Sequence, residues 1–211
     1  MRSYIDLANF YPANSTLVDI DLDRNSGSSK ILAAPDIITH YGQGSFENTF
    51  TYQYNLKKNT GFETILMMDS GPFELVTNKF FIDNAFGDVL IFGLGLGMII
   101  YPLLLDETVT SITVVEIDPN VIALIKPYIL ANDIYRKVII NEGDVYTYER
   151  FMDPRVNVYD FIYFDYWDRI SPRTAGEMEY IKNLYLRFLK SRDSIIYCWC
   201  EDILFLLPED E

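Results

Sequence analysis

Glycine recurs at alternate positions in Gly93-Leu-Gly95-Leu-Gly97, directly after the apolar run Asp88-Val-Leu-Ile-Phe. Glycine lets a turn tighten and lets backbone approach a ligand closely. The G-x-G-x-G spacing alone is a weak signal, but a glycine turn between a buried strand and a helix is where a nucleotide sits. Carboxylates then close the following apolar runs. Glu116 ends Ser111-Ile-Thr-Val-Val-Glu116, where a carboxylate can accept hydrogen bonds from both hydroxyls of a ribose. The competing role is a carboxylate serving the dipole of the next helix, and Asp118 suits that better. Asp144, after Gly143, can accept from an adenine amino group or cap the element that follows. Asp165 ends Tyr159-Asp-Phe-Ile-Tyr-Phe-Asp165 and is the catalytic candidate, able to orient an amine or hydroxyl nucleophile or to take its proton. Asp168 can bind a cationic substrate or cap a turn. Tyr166 and Trp167 can wall a pocket or fill a core.

Such residues act together only if the fold brings strand ends to one edge. The runs Asp88–Gly93, Ser111–Glu116, Lys137–Asn141, Tyr159–Asp165 and Ser194–Cys200 read as short strands buried on both faces. Helical stretches separate several of them. One covers Met98 to Leu105, and a second starts at Pro119, whose missing N–H costs nothing in a first turn. A third, Ala175 to Leu189, carries a stripe of Met178, Ile181, Leu184, Tyr185 and Phe188. Strands alternating with helices predict an α/β fold: a Rossmann-like, doubly wound, mostly parallel sheet, with ligands at the carboxyl ends of its strands.

Ahead of it, residues 1–75 read as a β-rich N-terminal extension, leaving 76–211 as the cofactor-binding domain. Lys30 to Ile38 holds a short strand or a helical turn between polar loops at Asn25–Ser29 and Tyr41–Gly44. Phe46 to Tyr54 alternates as a strand does, Asn59-Thr60-Gly61 forms a hairpin turn, and Phe62 to Met68 returns.

The 211 residues suffice for one sizeable core, and 49% apolar with 23% charged residues is globular composition. A net charge of −14 without a Lys/Arg cluster argues against a nucleic-acid partner and would draw in cationic small molecules such as amines. Simple solubility explains the same charge. No apolar run is long enough to span a membrane and the first residues, MRSYIDLANFYPANST, lack the long apolar core of a signal peptide, so a cytoplasmic protein is expected. Two cysteines, Cys198 and Cys200, and one histidine do not make the usual structural zinc site, and no metal is expected. Two cysteines on the same face of one strand do not form a disulfide with each other either.

These motifs resemble those of the class I S-adenosylmethionine-dependent methyltransferase superfamily, and within it the spermidine-synthase-like branch. The resemblance covers about residues 60–200 and rests on DVLIFGLGLG, SITVVEIDPNVI, NEGDVYTY, YDFIYFDYWD and the upstream ILMMDSGP. It implies that Gly93, Gly95 and Gly97 lie against the methionine part of the cofactor, that Glu116 holds the ribose and that Asp144 holds the adenine. It also implies that Asp165 is the catalytic aspartate, against the reactive end of the cofactor, and that Asp168 is its partner on the substrate side. Departures accompany it. Arg169 stands where the branch has proline, and the chain ends at Glu211, which leaves no room for the last two strands usual in methyltransferases. The sheet edge exposed there is open to pairing with another chain, a homo-oligomer included.

The expected function is transfer of a methyl group from S-adenosylmethionine to a small molecule or protein group. The alternatives are aminopropyl transfer from decarboxylated S-adenosylmethionine to a diamine, and binding of the cofactor without catalysis. A nicotinamide dehydrogenase fits worst, since its G-x-G-x-x-G fingerprint is not met.

Overall fold

The computed structural model describes residues 28–35, 52–59, 64–69, 72–167, 170–171, 173–202 and 204. Asp168, the polar segments at 25–27 and 41–44, the hairpin turn at 60–61 and the tail beyond residue 204 lie outside the described residues.

Five strands, β4 (Gly87–Phe92), β5 (Val109–Glu116), β6 (Val138–Glu142), β7 (Phe161–Phe164) and β8 (Ile195–Cys198), form one sheet in the order β6-β5-β4-β7-β8. Every pairing in it is parallel. The residues dictate this. Val89 and Ile91 of β4 pack on one side with Ile112, Val114, Phe161 and Tyr163, while Leu90 and Phe92 pack on the other with Val115, Ile162 and Phe164. A strand that is apolar at every position can only be central, with helices on both faces.

α3 (Tyr101–Leu104) and α4 (Pro119–Asn132) cover the first face, through Leu103, Ile125 and Ile129 among others. α5 (Thr174–Tyr185) covers the second with Met178, Ile181 and Tyr185, the stripe expected from the sequence. Burying each such side chain contributes about 1.5–3 kcal/mol. The chain leaves β4 toward one face and β7 toward the other, so a crevice opens between these neighbouring strands at their carboxyl ends.

Two local expectations are corrected. The stretch Met98–Leu105 forms α-helix only at Tyr101–Leu104, with turns before it. The fifth strand stops at Cys198, because the chain turns and Cys200 takes φ +60°. Both cysteines are free thiols. The helical pair α1 (Pro72–Thr77) and α2 (Lys79–Asn84) is not signalled by its aromatic, β-branched sequence.

Before these helices, β1 (Ser28–Pro35), β2 (Tyr52–Asn59) and β3 (Thr64–Asp69) make an antiparallel sheet in sequence order. The alternative left open for Lys30 to Ile38 resolves as a strand as far as Pro35, with 36–38 outside the described residues. The hairpin pairing of β2 with β3 is as expected over Tyr52–Asn59, and residues 46–51 of the expected strand lie outside the described residues. Leu56 of β2 is buried in the main core, and Met67 and Met68 of β3 pack against it. Among the described residues, no helix is long and apolar enough to cross a membrane.

Candidate functional site

The strand ends are tied into a row by backbone hydrogen bonds that continue the ladder one step past each strand. Gly143 N–H donates to the Glu116 carbonyl at 2.9 Å, Gly93 N–H to Val115 at 2.9 Å, Asp165 N–H to Phe92 at 2.8 Å and Trp199 N–H to Phe164 at 2.8 Å. Across the sheet this sets the sequence Asp144, Glu116, glycine turn, Asp165, Trp199. A cavity of about 350 Å³ runs along that edge and is lined by all of these, a size suited to a small organic ligand.

The glycine turn is shaped by what presses on it. Gly93 has φ +101°, and a Cβ there would lie 2.0 Å from the Asp165 carbonyl oxygen. Gly95 has φ +47°, and its Cβ would meet the Met68 sulfur at 2.4 Å. Neither conformation nor space tolerates a side chain. The Leu96 N–H donates to that same sulfur at 3.3 Å, so β3 of the N-terminal sheet holds the turn from outside. Gly93 and Gly95 line the cavity. Gly97 stands apart from the other two: its missing Cβ makes room for Ile129 of α4, at 2.8 Å, which is a helix-packing role.

Glu116 is buried and reaches both ways. Its Oε2 accepts the Leu94 N–H and its Oε1 the Asp118 N–H, each at 2.8 Å. Burial pushes its carboxyl above the usual range, and the two amides pull in the opposite direction. Each oxygen can still accept a second hydrogen bond, as a vicinal diol would offer. Asp118 takes the helix-capping role, its Oδ1 accepting the Asn120 N–H of α4 at 2.9 Å. Asp144 does some of both: it lines the cavity, and its Oδ1 accepts the Tyr146 N–H at 2.9 Å.

The Asp165 carboxyl faces the cavity and takes no hydrogen bond from any described side chain. Burial raises its pKa to about 7. A carboxyl that changes charge near neutrality can exchange a proton with a bound nucleophile. Tyr166 and Trp167, stacked with centroids 4.1 Å apart, both wall the cavity and pack against the core. Their two expected roles are therefore combined. Tyr146 and Tyr166 both donate to Glu177 of α5, tying the loop after β6 to the loop after β7.

Several cavity residues are not among those that the sequence singles out for a role: Met67, Met68, Glu74 and Trp199. Glu74 belongs to α1, where its type alone gives no signal. Trp199 is fixed by its indole N–H, which donates to Thr77 Oγ1 at 2.9 Å.

Comparison with solved structures finds distant similarities. A spermidine synthase from Thermotoga maritima aligns at 18% identity and a TM-score of 0.44, over 65% of this chain and 50% of that one. A spermidine synthase in complex with the transition-state analogue AdoDATO aligns at 18% and 0.44, over 72% and 52%. A Staphylococcus aureus protein assigned as a caffeoyl-CoA O-methyltransferase aligns at 17% and 0.43, over 63% and 57%. The chain thus spans between 50% and 57% of the length of each. No curated protein sequence matches it. Residues 76–205, which carry the whole strand-end row, match the spermine/spermidine synthase domain, and the chain belongs to that family.

Proposed function

We propose that the chain is a transferase that moves an alkyl group from an adenosyl sulfonium to an amine. The observation that carries this is the row of Asp144, Glu116, the glycine turn and Asp165 in one cavity. The order matches the order of groups along such a donor: adenine, ribose, sulfonium chain and reacting carbon. Asp144 would accept from the adenine amino group, Glu116 would hold the ribose hydroxyls, and Gly93 and Gly95 would let the thioalkyl chain lie against backbone. The donor supplies an electrophilic carbon with a neutral thioether as leaving group.

Asp165 then has two tasks. It orients the amine so that the nitrogen lone pair faces the carbon–sulfur bond, and positioning of this kind supplies much of the acceleration in a displacement that needs no covalent help. As the new C–N bond forms, the C–S electron pair goes to sulfur, and Asp165 takes the proton released from nitrogen.

Charge favours decarboxylated S-adenosylmethionine over S-adenosylmethionine as donor. The described lining residues include five carboxyl groups, Glu74, Glu116, Asp118, Asp144 and Asp165, and no Lys, Arg or His. A donor bearing only positive charge suits that cavity, whereas the carboxylate of S-adenosylmethionine would be repelled. Family membership supports the same choice.

Calorimetry with both donors, followed by product analysis with 1,4-diaminobutane, tests the proposal. The expected result is tighter binding of the decarboxylated donor and formation of an aminopropylated amine with 5′-methylthioadenosine. A methylated amine with S-adenosylhomocysteine would establish methyl transfer instead. Binding of a donor without turnover would leave a cofactor-holding protein, and binding of neither would overturn the assignment.

A further inference from the structure

Beyond Asp165, a second carboxyl-bearing residue lines the cavity from outside the strand-end row. Glu74 of α1 lines the cavity, and its Oε2 accepts a hydrogen bond from Asn78 Nδ2 at 3.3 Å. The same Nδ2 donates to the Glu74 backbone carbonyl at 3.0 Å. Asn78 is fully buried between α1 and α2, and its orientation is set from below by Tyr163 of β7, whose hydroxyl donates to Asn78 Oδ1 at 2.8 Å. Tyr163 is fixed in turn by stacking on Phe81, with centroids 4.2 Å apart and planes 6° from parallel. A buried amide held at both ends has one orientation available, and here it presents N–H to a carboxylate.

Two features place Glu74 with Asp165 rather than with the carboxylates at the ends of β5 and β6. Both bear electrostatically on the Tyr163 hydroxyl and on the Cys200 thiol. Trp199, between β8 and α1, lines the same end of the cavity. The Asp165 carboxyl takes no hydrogen bond from any described side chain, which leaves its oxygens available to a ligand donor. Two carboxylates beside an indole face suit a primary ammonium, which offers three N–H donors and a charge that an aromatic ring also attracts.

We infer that Glu74 is a specificity-determining residue that binds a ligand ammonium together with Asp165, and that Asn78, aimed by Tyr163, is its positioning residue. This rests on the proposed transferase reading and goes further by assigning the recognition of charge at the reacting end to a residue outside the strand-end row. The ammonium belongs to the aminopropyl chain of the donor or to the acceptor amine, and both offer the same chemistry.

The test uses two thioethers that differ only at that group: 5′-(3-aminopropyl)thio-5′-deoxyadenosine and its uncharged isostere 5′-butylthio-5′-deoxyadenosine. A second arm titrates 1,4-diaminobutane into the full chain saturated with 5′-methylthioadenosine. Glu74→Gln is expected to lose about tenfold in affinity for the aminopropyl ligand, or for the diamine, while binding the butyl ligand as wild type does. Asn78→Ala should lose about threefold in the same arm, since Glu74 remains but is no longer held. Where Asn78→Ala does not fold, Tyr163→Phe removes only the hydroxyl and should move the same ratio in the same direction. Loss in the first arm assigns the donor chain, and loss in the second assigns the acceptor. Unchanged affinity in both arms, or an equal loss for the butyl ligand, would overturn the role of Glu74. Failure of wild type to bind any of the adenosyl ligands would instead overturn the transferase reading.

Discussion

The Glu116 carboxylate accepts the Leu94 amide at 2.8 Å, joining the end of β5 to the turn that follows β4. The residue proposed to hold the ribose therefore also holds the glycine turn in shape. Glu116→Gln keeps the volume but sets an NH2 group against one of two backbone N–H donors, Leu94 or Asp118. Affinity for 5′-methylthioadenosine should fall by about tenfold or more, since charged acceptors contribute about 1.5–3 kcal/mol. Glu116→Ala should abolish binding. Calorimetry that found either variant binding as wild type would remove Glu116 from the site.

Asp165 links activity to pH and to stability in opposite ways. Turnover should rise as pH passes through about 7, where the carboxyl becomes able to take a proton. For stability the sign is reversed. The folded carboxyl binds its proton more tightly than the unfolded one, with a pKa of about 7 against 3.8, so stability is greatest below pH 4 as far as this group is concerned. It falls as pH rises from 4 to 7 and is level beyond. Asp165→Asn should lose turnover, retain adenosyl binding, and be more stable than wild type at pH 8 by about 2 kcal/mol. Urea denaturation at pH 5 and pH 8 reads the difference, and an equal gain at both values would contradict it.

Gly95 and Met68 exclude a side chain between them. Gly95→Ala places a methyl group 2.4 Å from the Met68 sulfur at a φ of +47°. We expect a loss of about 1–3 kcal/mol in stability together with weaker adenosyl binding. Adding Met68→Ala should recover the steric part and leave the backbone part, roughly 1 kcal/mol. Thermal melts of the single and double variants separate the two.

Glu177 receives hydroxyls from Tyr146 and Tyr166, one from each loop at the ends of β6 and β7. Glu177→Ala removes the shared acceptor without touching the core and leaves the loops joined only by the direct contact of the two tyrosines, whose hydroxyls lie 3.3 Å apart. Release of 5′-methylthioadenosine should quicken about threefold, while stability changes by only about 0.5 kcal/mol. Stopped-flow release rates equal to wild type would show that this tie is irrelevant to the ligand.

The legible part of the site follows from strand geometry. Residues that close or directly follow a buried parallel strand sit at the carboxyl edge of the sheet, so the amino-acid sequence alone puts Glu116, Asp144 and Asp165 on one edge. Central strands are legible because Val89 to Phe92 are apolar without interruption. Contacts between distant segments leave no such trace. Met68 reaches the glycine turn from an antiparallel sheet, and Glu74 reaches the cavity from a six-residue helix. The α1–α2 pair is hidden because Phe73, Val76, Phe80, Phe81 and Ile82 favour strands on propensity alone. Gly97 resembles its neighbours in sequence, and only the position of Ile129 separates its task from theirs.

The contact between β3 and the glycine turn bears on how far this protein can be taken apart. The family domain begins at residue 76, yet Leu56, Met67, Met68 and Glu74 all line the cavity. A fragment cut at that boundary would keep the strand-end row and lose one wall of the chamber, along with the sulfur that braces Leu96. The cavity is therefore a joint product of two sheets with different strand chemistry. Grafting the parallel-sheet half onto another N-terminal piece would transplant its acids without the surface that gives them their shape.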